Sequence, residues 1–163
     1  MNDLHTTSVG PVLSAWQRAS GSSLGRWLFA RAVCRRAPYF GTILSFFLEL
    51  APAVCRVGMR KRRRVENHIR TVHALAMGNL CELAAGMVTE VTIPTTMRWI
   101  PRGMTIEYLR KAESDVTATS RLTKTEWMIA LEGGVPLEPG IQVTPTSIDF
   151  GVVTWDNPQP PDD

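Results

Sequence analysis

Residues 72–93 form a long, mainly apolar segment in which few positions are polar. From Ala74 to Thr89 the only charged residue is Glu82. The alanine and leucine content predicts a helix over residues 72–92, ended by Pro94. A helix that is apolar on every side is buried on every side. We therefore expect a curved sheet or a subunit interface around it, because Glu82, Asn79 and the short length argue against a membrane span.

Several other segments alternate between apolar and polar residues, which is typical of strands. Four regions are predicted as strands: 43–50 with 54–65, Gly103–Leu109, Asp115–Thr123, and the pair Ile141–Thr144 and Ser147–Trp155. In the second region Met104, Ile106 and Tyr108 fall on one side of the strand. The acidic turn 112–115 is expected to join the second and third regions as a hairpin.

Residues 11–36 predict two amphipathic helices, broken at Gly21–Ser23 and ended by Pro38. Their apolar positions alternate with arginines. Such a segment either packs on the domain that follows it or rests on a membrane surface, and we favour packing.

The order of these elements predicts an α+β fold with one long buried helix against an antiparallel sheet. The expected organisation is an N-terminal helical lead-in (1–37), a main domain (38–157) and a disordered tail (158–163). A chain of 163 residues with 44% hydrophobic residues suits one core without metal or disulfides.

Composition and charge limit the compartment and the kinds of partner that we expect for this protein. The three cysteines are an odd number without CxxC spacing, which argues against a disulfide framework or a zinc site and fits a reducing compartment. No signal peptide is evident, so we expect a cytoplasmic protein without stable membrane insertion. The basic run Arg60–Arg64 could meet nucleic acid, an anionic membrane or a phosphorylated ligand, or could simply be a solvated strand end. No aromatic residue interleaves with the run, so we do not expect a nucleic-acid partner.

The candidate chemistry centres on Glu82 and on the segment that precedes the helix. A carboxylate within an apolar helix is costly unless it is paired, so Glu82 is either part of a structural pair or a catalytic base. Residues 67–73 bring an amide and two imidazoles to a helix N-terminus, where free N–H groups favour negative charge. This arrangement suits an oxyanion hole. Alternatively, Thr71 is only an N-cap, and Asn67 and His68 only close a turn.

Two stretches in this region resemble a bacterial hot-dog family of unknown function that is related to phenylacetyl-CoA-type thioesterases. They are Asn67-His68-Ile69-Arg70-Thr71-Val72-His73-Ala74 and Asn79-Leu80-Cys81-Glu82-Leu83-Ala84-Ala85-Gly86, which are similar to a family pattern NHxGTxHA…NLxELxxG. The resemblance covers residues 38–125 and extends to Arg98–Met104 and Tyr108–Ala112. It implies a hot-dog fold, in which an antiparallel sheet wraps around the helix.

The resemblance also implies roles for individual residues. Asn67 stands six residues before His73, and Ala74 would offer its backbone N–H to the thioester oxygen. Glu82, nine residues after His73, would act as base or nucleophile across the interface of a homodimer or homotetramer. The substrate would be an acyl-CoA, with Arg63, Arg64 and Arg70 as candidate phosphate contacts. No metal and no separate cofactor are implied.

Some positions depart from the family pattern. Arg70 replaces a common glycine, and Ala74-Leu75 replaces Gly-Gly after the histidine. After Lys124 the likeness weakens, so residues 127–139 are expected to follow an atypical course. Two hypotheses therefore remain: an acyl-CoA thioesterase, and a non-catalytic hot-dog module that binds an acyl group or a partner protein.

Overall fold

A computed structural model of the chain describes residues 10–93, 99, 101 and 104–121. Within them lie three α-helices and three strands. In chain order these are α1 (Pro11–Ala19), α2 (Ser23–Arg36), β1 (Phe46–Ala51), β2 (Val54–Met59), α3 (Ala74–Thr92) and β3 (Val116–Arg121). Two 3₁₀ helices, Pro38–Thr42 and Arg63–Val65, precede β1 and follow β2.

The three strands form an antiparallel sheet in the order β1-β2-β3. Val57 at its centre faces Phe47 on one side and Ala118 on the other. β1 and β2 form the hairpin expected around Ala51–Pro52, and Ala53 in its turn has a positive φ of 66°. In β3 every second side chain from Val116 to Ser120 is buried, which agrees with the alternation in the sequence.

Helix α3 packs against all three strands and supplies much of the core. It runs unbroken from Ala74 to Thr92, so Gly78 does not interrupt it. Twelve of its residues are buried, and Leu80, Leu83 and Val88 are at most 1% exposed. The predicted α+β architecture with a long helix against an antiparallel sheet is confirmed. The helix begins two residues later than expected, because Val72 pairs with Glu66 and His73 is the N-cap.

The helical lead-in packs into the same core. Trp16 of α1, Phe29 of α2 and Phe47 of β1 form an aromatic triangle with ring centroids 5.0–5.9 Å apart. Two of the three pairs meet edge to face, an arrangement that favours the aromatic quadrupoles. The predicted break between the helices is confirmed, and Ser22 caps α2 by accepting from the Gly25 N–H at 3.0 Å.

The strand predicted at Gly103–Leu109 is wrong, since residues 104–109 lie in no strand. This segment instead crosses the surface of α3. Ile106 and Met104 lie over Gly78, and the Tyr108 hydroxyl donates to the Ala74 carbonyl at 3.1 Å. Met104, Ile106 and Tyr108 therefore share the side that contacts the helix, but Met104 and Tyr108 remain 42% and 49% exposed. The partner is a helix, however, and no hairpin forms.

Other predictions lie outside the described residues: the strands at 141–144 and 147–155, the course of residues 127–139, the tail at 158–163 and the role of Pro94. The domain boundaries stay predictions. Among the described residues, no helix combines the length and the apolar character that crossing a bilayer requires.

Candidate functional site

The loop between β2 and α3 is held as a compact hairpin-like turn. The His73 N–H donates to the Val65 carbonyl at 2.8 Å, and Glu66 and Val72 form an antiparallel bridge. The Val72 N–H donates to the Ala112 carbonyl at 2.8 Å, which ties the loop to the segment before β3. The start of α3 is thus fixed from two directions.

Asn67 organises the interior of this loop. Its Oδ1 accepts from the backbone N–H groups of Ile69 and Thr71, both at 3.1 Å, and its Nδ2 donates to Thr71 Oγ1 at 2.7 Å. The possibility that Asn67 closes a turn is therefore confirmed. An amide carries two N–H donors, and the second one has no acceptor among the described residues. Thr71 is not the N-cap, because α3 begins at Ala74 and His73 occupies the capping position.

Arg70 stands at the turn of the loop in a left-handed conformation, with φ of 68°. Glycine adopts this conformation freely, whereas a residue with a Cβ is strained in it. The strain gives a physical reason for the glycine that the resembling family commonly has there. The Arg70 side chain is exposed.

His73 is the N-cap of α3, and its Nδ1 accepts from the Leu75 N–H at 3.1 Å. The proton of the neutral ring is therefore on Nε2. The next two N–H groups, those of Ala76 and Met77, donate to the His73 carbonyl. The Ala74 N–H has no acceptor among the described residues, so one donor at the positive end of the helix dipole is open.

Glu82 lies in the third turn of α3 and is half-buried. No hydrogen bond or ion pair reaches its carboxylate from residues 10–93, 99, 101 and 104–121. A structural salt bridge, one of the two sequence-based alternatives, is thus not found in this part of the molecule.

Two glycines flank Glu82 on the same face of the helix, one turn to either side. Gly78 lies against Ile106, whose Cδ1 is 3.1 Å from where a Cβ would stand. Gly86 lies against Trp99, whose Cη2 would be 2.7 Å from a Cβ. The Trp99 Nε1 donates to Glu90 Oε2 at 2.8 Å, which holds the indole in place. Side chains from the segment after α3 therefore cover the helix on both sides of the carboxylate.

The structure brings some of the predicted site residues together and separates others. Asn67, Arg70, His73 and Ala74 meet at the N-terminus of α3. Glu82 is eight residues along the helix from Ala74, about 12 Å along its axis. Their backbone positions are therefore two turns apart on the helix.

The basic run has two different parts. Arg62 is structural, since its guanidinium donates to the carbonyls of Ile43 at 3.0 Å and Leu44 at 3.3 Å. Lys61 pairs with Glu66 at 3.1 Å. Arg63 and Arg64 are exposed and directly precede Val65, which pairs with His73. These two arginines and Arg70 therefore belong to the same loop that leads into α3.

The three cysteines are free. Burial raises the pKa of the Cys81 thiol, next to Glu82, to about 11. Burial, helped by the nearby Glu49, raises the pKa of Cys55 to about 12. Both thiols are protonated at neutral pH and are therefore poor nucleophiles. Among the described residues, no cluster of three or more metal-type ligands occurs.

Several contacts made with α3 were not predicted from the sequence. Tyr108 fixes the first carbonyl of α3, and Trp99 and Ile106 cover the two glycines. The buried Asn79 anchors α3 to the 3₁₀ helix at residues 38–42 through Thr42 Oγ1, at 3.1 Å. The available signal was the spacing of Gly78, Glu82 and Gly86 at intervals of four, which marks one face of a helix.

Comparisons with known proteins place this geometry in a family. No curated protein matches the chain. A solved genomics target is 44% identical, with a TM-score of 0.60 over 68% of this chain and 73% of its own. A Pseudomonas aeruginosa protein of unknown function, described as a probable thioesterase, is 24% identical, with a TM-score of 0.56 over 64% of this chain and 74% of its own. The model of the family described as domain of unknown function DUF4442 matches residues 25–151, and the chain therefore belongs to the DUF4442 family.

Proposed function

We propose that this protein is a hot-dog-fold thioesterase that hydrolyses an acyl-CoA. One observation carries the proposal: on the buried helix α3, neither the Ala74 N–H nor the half-buried Glu82 carboxylate has a bonding partner among the residues that the structure describes. Hydrolysis of a thioester needs these two elements, a donor for the oxyanion and a base or nucleophile. The structural similarity to the Pseudomonas aeruginosa protein that is described as a probable thioesterase supports the same conclusion.

The start of α3 suits the thioester carbonyl. When water or a carboxylate attacks the carbonyl carbon, its oxygen becomes negatively charged. The Ala74 N–H would donate to that oxygen, and the positive end of the helix dipole would stabilise the charge. The remaining Nδ2–H of Asn67 is a candidate second donor. His73 and the Asn67–Thr71 bonds position the donors by fixing the loop.

Glu82 would act in one of two ways. As a general base it takes a proton from water while the oxygen of that water bonds to the carbonyl carbon. As a nucleophile it forms an acyl anhydride that water then cleaves. In both cases the C–S bond breaks and the electron pair goes to the CoA sulfur. On the general-base route Glu82 returns the proton from water to that sulfur, and on the nucleophilic route the thiolate leaves and takes its proton from water. The products are a free acid and coenzyme A.

Each site would be completed by a second chain. The loop of one subunit would hold the thioester carbonyl, and Glu82 of the other would supply the attack. A homodimer, or a tetramer built from such dimers, has the two-fold symmetry that makes both sites equivalent. Arg63, Arg64 and Arg70 would bind the CoA phosphates, since guanidinium groups match phosphate oxygens. We place this reaction in the cytoplasm, with CoA as part of the substrate and no further cofactor.

The test is hydrolysis of short-chain, long-chain and aromatic acyl-CoAs by three proteins: the wild type, Glu82→Gln and Ala74→Pro. Glu82→Gln keeps the shape of the side chain and should slow turnover at least about a hundredfold. Ala74→Pro removes the open N–H. Proline is tolerated at the first position of a helix, and the ψ of 136° at His73 admits a following proline.

Ala74→Ser, which keeps the N–H, is the matched control and should stay active. Equal hydrolysis by wild type and Glu82→Gln would show that the carboxylate is structural. If the folded wild type hydrolyses none of these substrates, the protein is instead a hot-dog module that binds an acyl group or a partner protein.

A further inference from the structure

Helix α2 presents an apolar face to solvent. Leu24, Trp27 and Leu28 are 67%, 57% and 53% exposed. They occupy one side of the helix, at spacings of three and four residues. Phe29 and Ala30, on the other side, are buried in the core. The exposed side is therefore not the face by which α2 packs on the sheet.

The charge around this face has one sign. Residues 11–36 contain five arginines and no acidic residue. Arg26, Arg35 and Arg36 are exposed, and no acidic side chain among the described residues pairs with them. A helix with tryptophan and leucine on its surface and arginines beside them resembles segments that lie in the interfacial layer of a bilayer. Tryptophan prefers that layer, because its ring is amphipathic.

We propose that α2 docks this protein onto an anionic membrane surface, with Leu24, Trp27 and Leu28 inserted between lipid headgroups. The arginines favour an anionic membrane over a second copy of this chain as the partner of this face. A symmetric contact with the same face of a second copy would bring like charges together and cost free energy. Negative phospholipid headgroups instead offer complementary charge, and the acyl region below them takes up the apolar side chains. The proposal does not rest on the thioesterase reaction.

The experiment is sedimentation of the full chain with vesicles of pure phosphatidylcholine and with vesicles of equal parts phosphatidylcholine and phosphatidylglycerol. The wild type should sediment with the anionic vesicles alone and be released by high salt. Trp27→Ser/Leu28→Ser should lower the partition coefficient at least about tenfold. Arg35→Gln/Arg36→Gln should lower it roughly fivefold for each arginine.

Leu48→Ser is the matched control, because Leu48 is a 40% exposed leucine on β1 and not one of the three apolar side chains of the proposed docking face. It should sediment like the wild type. The proposal is overturned if the wild type ignores anionic vesicles, or if Trp27→Ser/Leu28→Ser binds them equally well. It is also overturned if light scattering shows that the wild type is a larger assembly than Trp27→Ser/Leu28→Ser while both fail to sediment, which would assign the face to a second copy.

Discussion

The Ala74 N–H and the Glu82 carboxylate belong to one uninterrupted helix, eight residues apart. That spacing separates their backbone positions by about 12 Å along the axis and about 80° around it. A thioester carbonyl must lie roughly 3 Å from both the donor and the attacking group. The proposed mechanism therefore takes the donor from one chain and the carboxylate from a second.

Mixing two inactive variants tests this requirement. Glu82→Gln keeps the donor, and Ala74→Pro keeps the carboxylate. A dimer with one chain of each kind has one intact site and one doubly defective site. After the two proteins are unfolded and refolded together in equal amounts, random pairing should restore about a quarter of wild-type turnover. We expect each variant refolded alone to stay inactive.

Two outcomes would contradict the two-chain site. Absence of recovery in a mixture whose refolded dimers contain both variants would mean that one chain forms the site alone. A mass by light scattering equal to the 18.1 kDa of a single chain, measured for active enzyme at micromolar concentration, would have the same meaning.

Replacing Arg70 by glycine separates backbone strain from substrate binding. Arg70→Gly relieves the φ of 68° and should raise the free energy of unfolding by about 0.5–1 kcal/mol, after allowance for the greater freedom of glycine in the unfolded chain. Arg70→Ala removes the same guanidinium but keeps the strained φ, so we expect little gain. Urea denaturation measures both.

If Arg70 binds a CoA phosphate, both variants raise KM for acyl-CoA by a similar factor. A rise in KM for Arg70→Gly alone would mean that the loop conformation matters and the charge does not. Unchanged KM in both variants would remove Arg70 from the phosphate site.

The sequence predicted α3 well because its composition leaves few alternatives. A segment with Glu82 as its only charge over sixteen residues, Ala74 to Thr89, must be covered on most sides, and the structure covers it. β3 was predicted for a similar reason, since burial of every second residue from Val116 to Ser120 is a local property.

Relationships between distant segments could not be predicted in this way. Residues 104–109 have the alternation of a strand, but alternation does not say whether the inward side chains meet a sheet or a helix. The segment packs on the helix because Gly78 leaves a gap there that the Ile106 side chain fills. Similarly, the residue types of the loop before α3 did not show that His73 rather than Thr71 is the cap. The position of the cap depends on the conformation of the loop, in which Asn67 donates a hydrogen bond to the Thr71 hydroxyl.

The N-cap role of His73 predicts a specific pattern of stabilities. His73→Ala removes the acceptor for the Leu75 N–H and should lower the free energy of unfolding by about 1 kcal/mol. His73→Asn replaces the imidazole nitrogen by an amide oxygen acceptor. Asparagine is among the best N-caps, so this variant should keep most of the stability. Thermal or urea unfolding of the three proteins checks this. If His73→Asn unfolds as readily as His73→Ala, the imidazole stabilises the protein by something other than the cap.

The contact between Gly86 and Trp99 should appear as an energetic coupling. Alanine is about 1 kcal/mol more favourable than glycine within a helix. Gly78→Ala should gain much of this, because the end of the Ile106 side chain can yield at 3.1 Å. Gly86→Ala would instead displace the indole of Trp99 and break its bond to Glu90. We expect no gain from Gly86→Ala in the wild type and a gain of up to about 1 kcal/mol in a Trp99→Ala background. Urea unfolding of the four proteins of this cycle measures the coupling, and equal gains in both backgrounds would mean that Trp99 is not held against the helix beside Glu82.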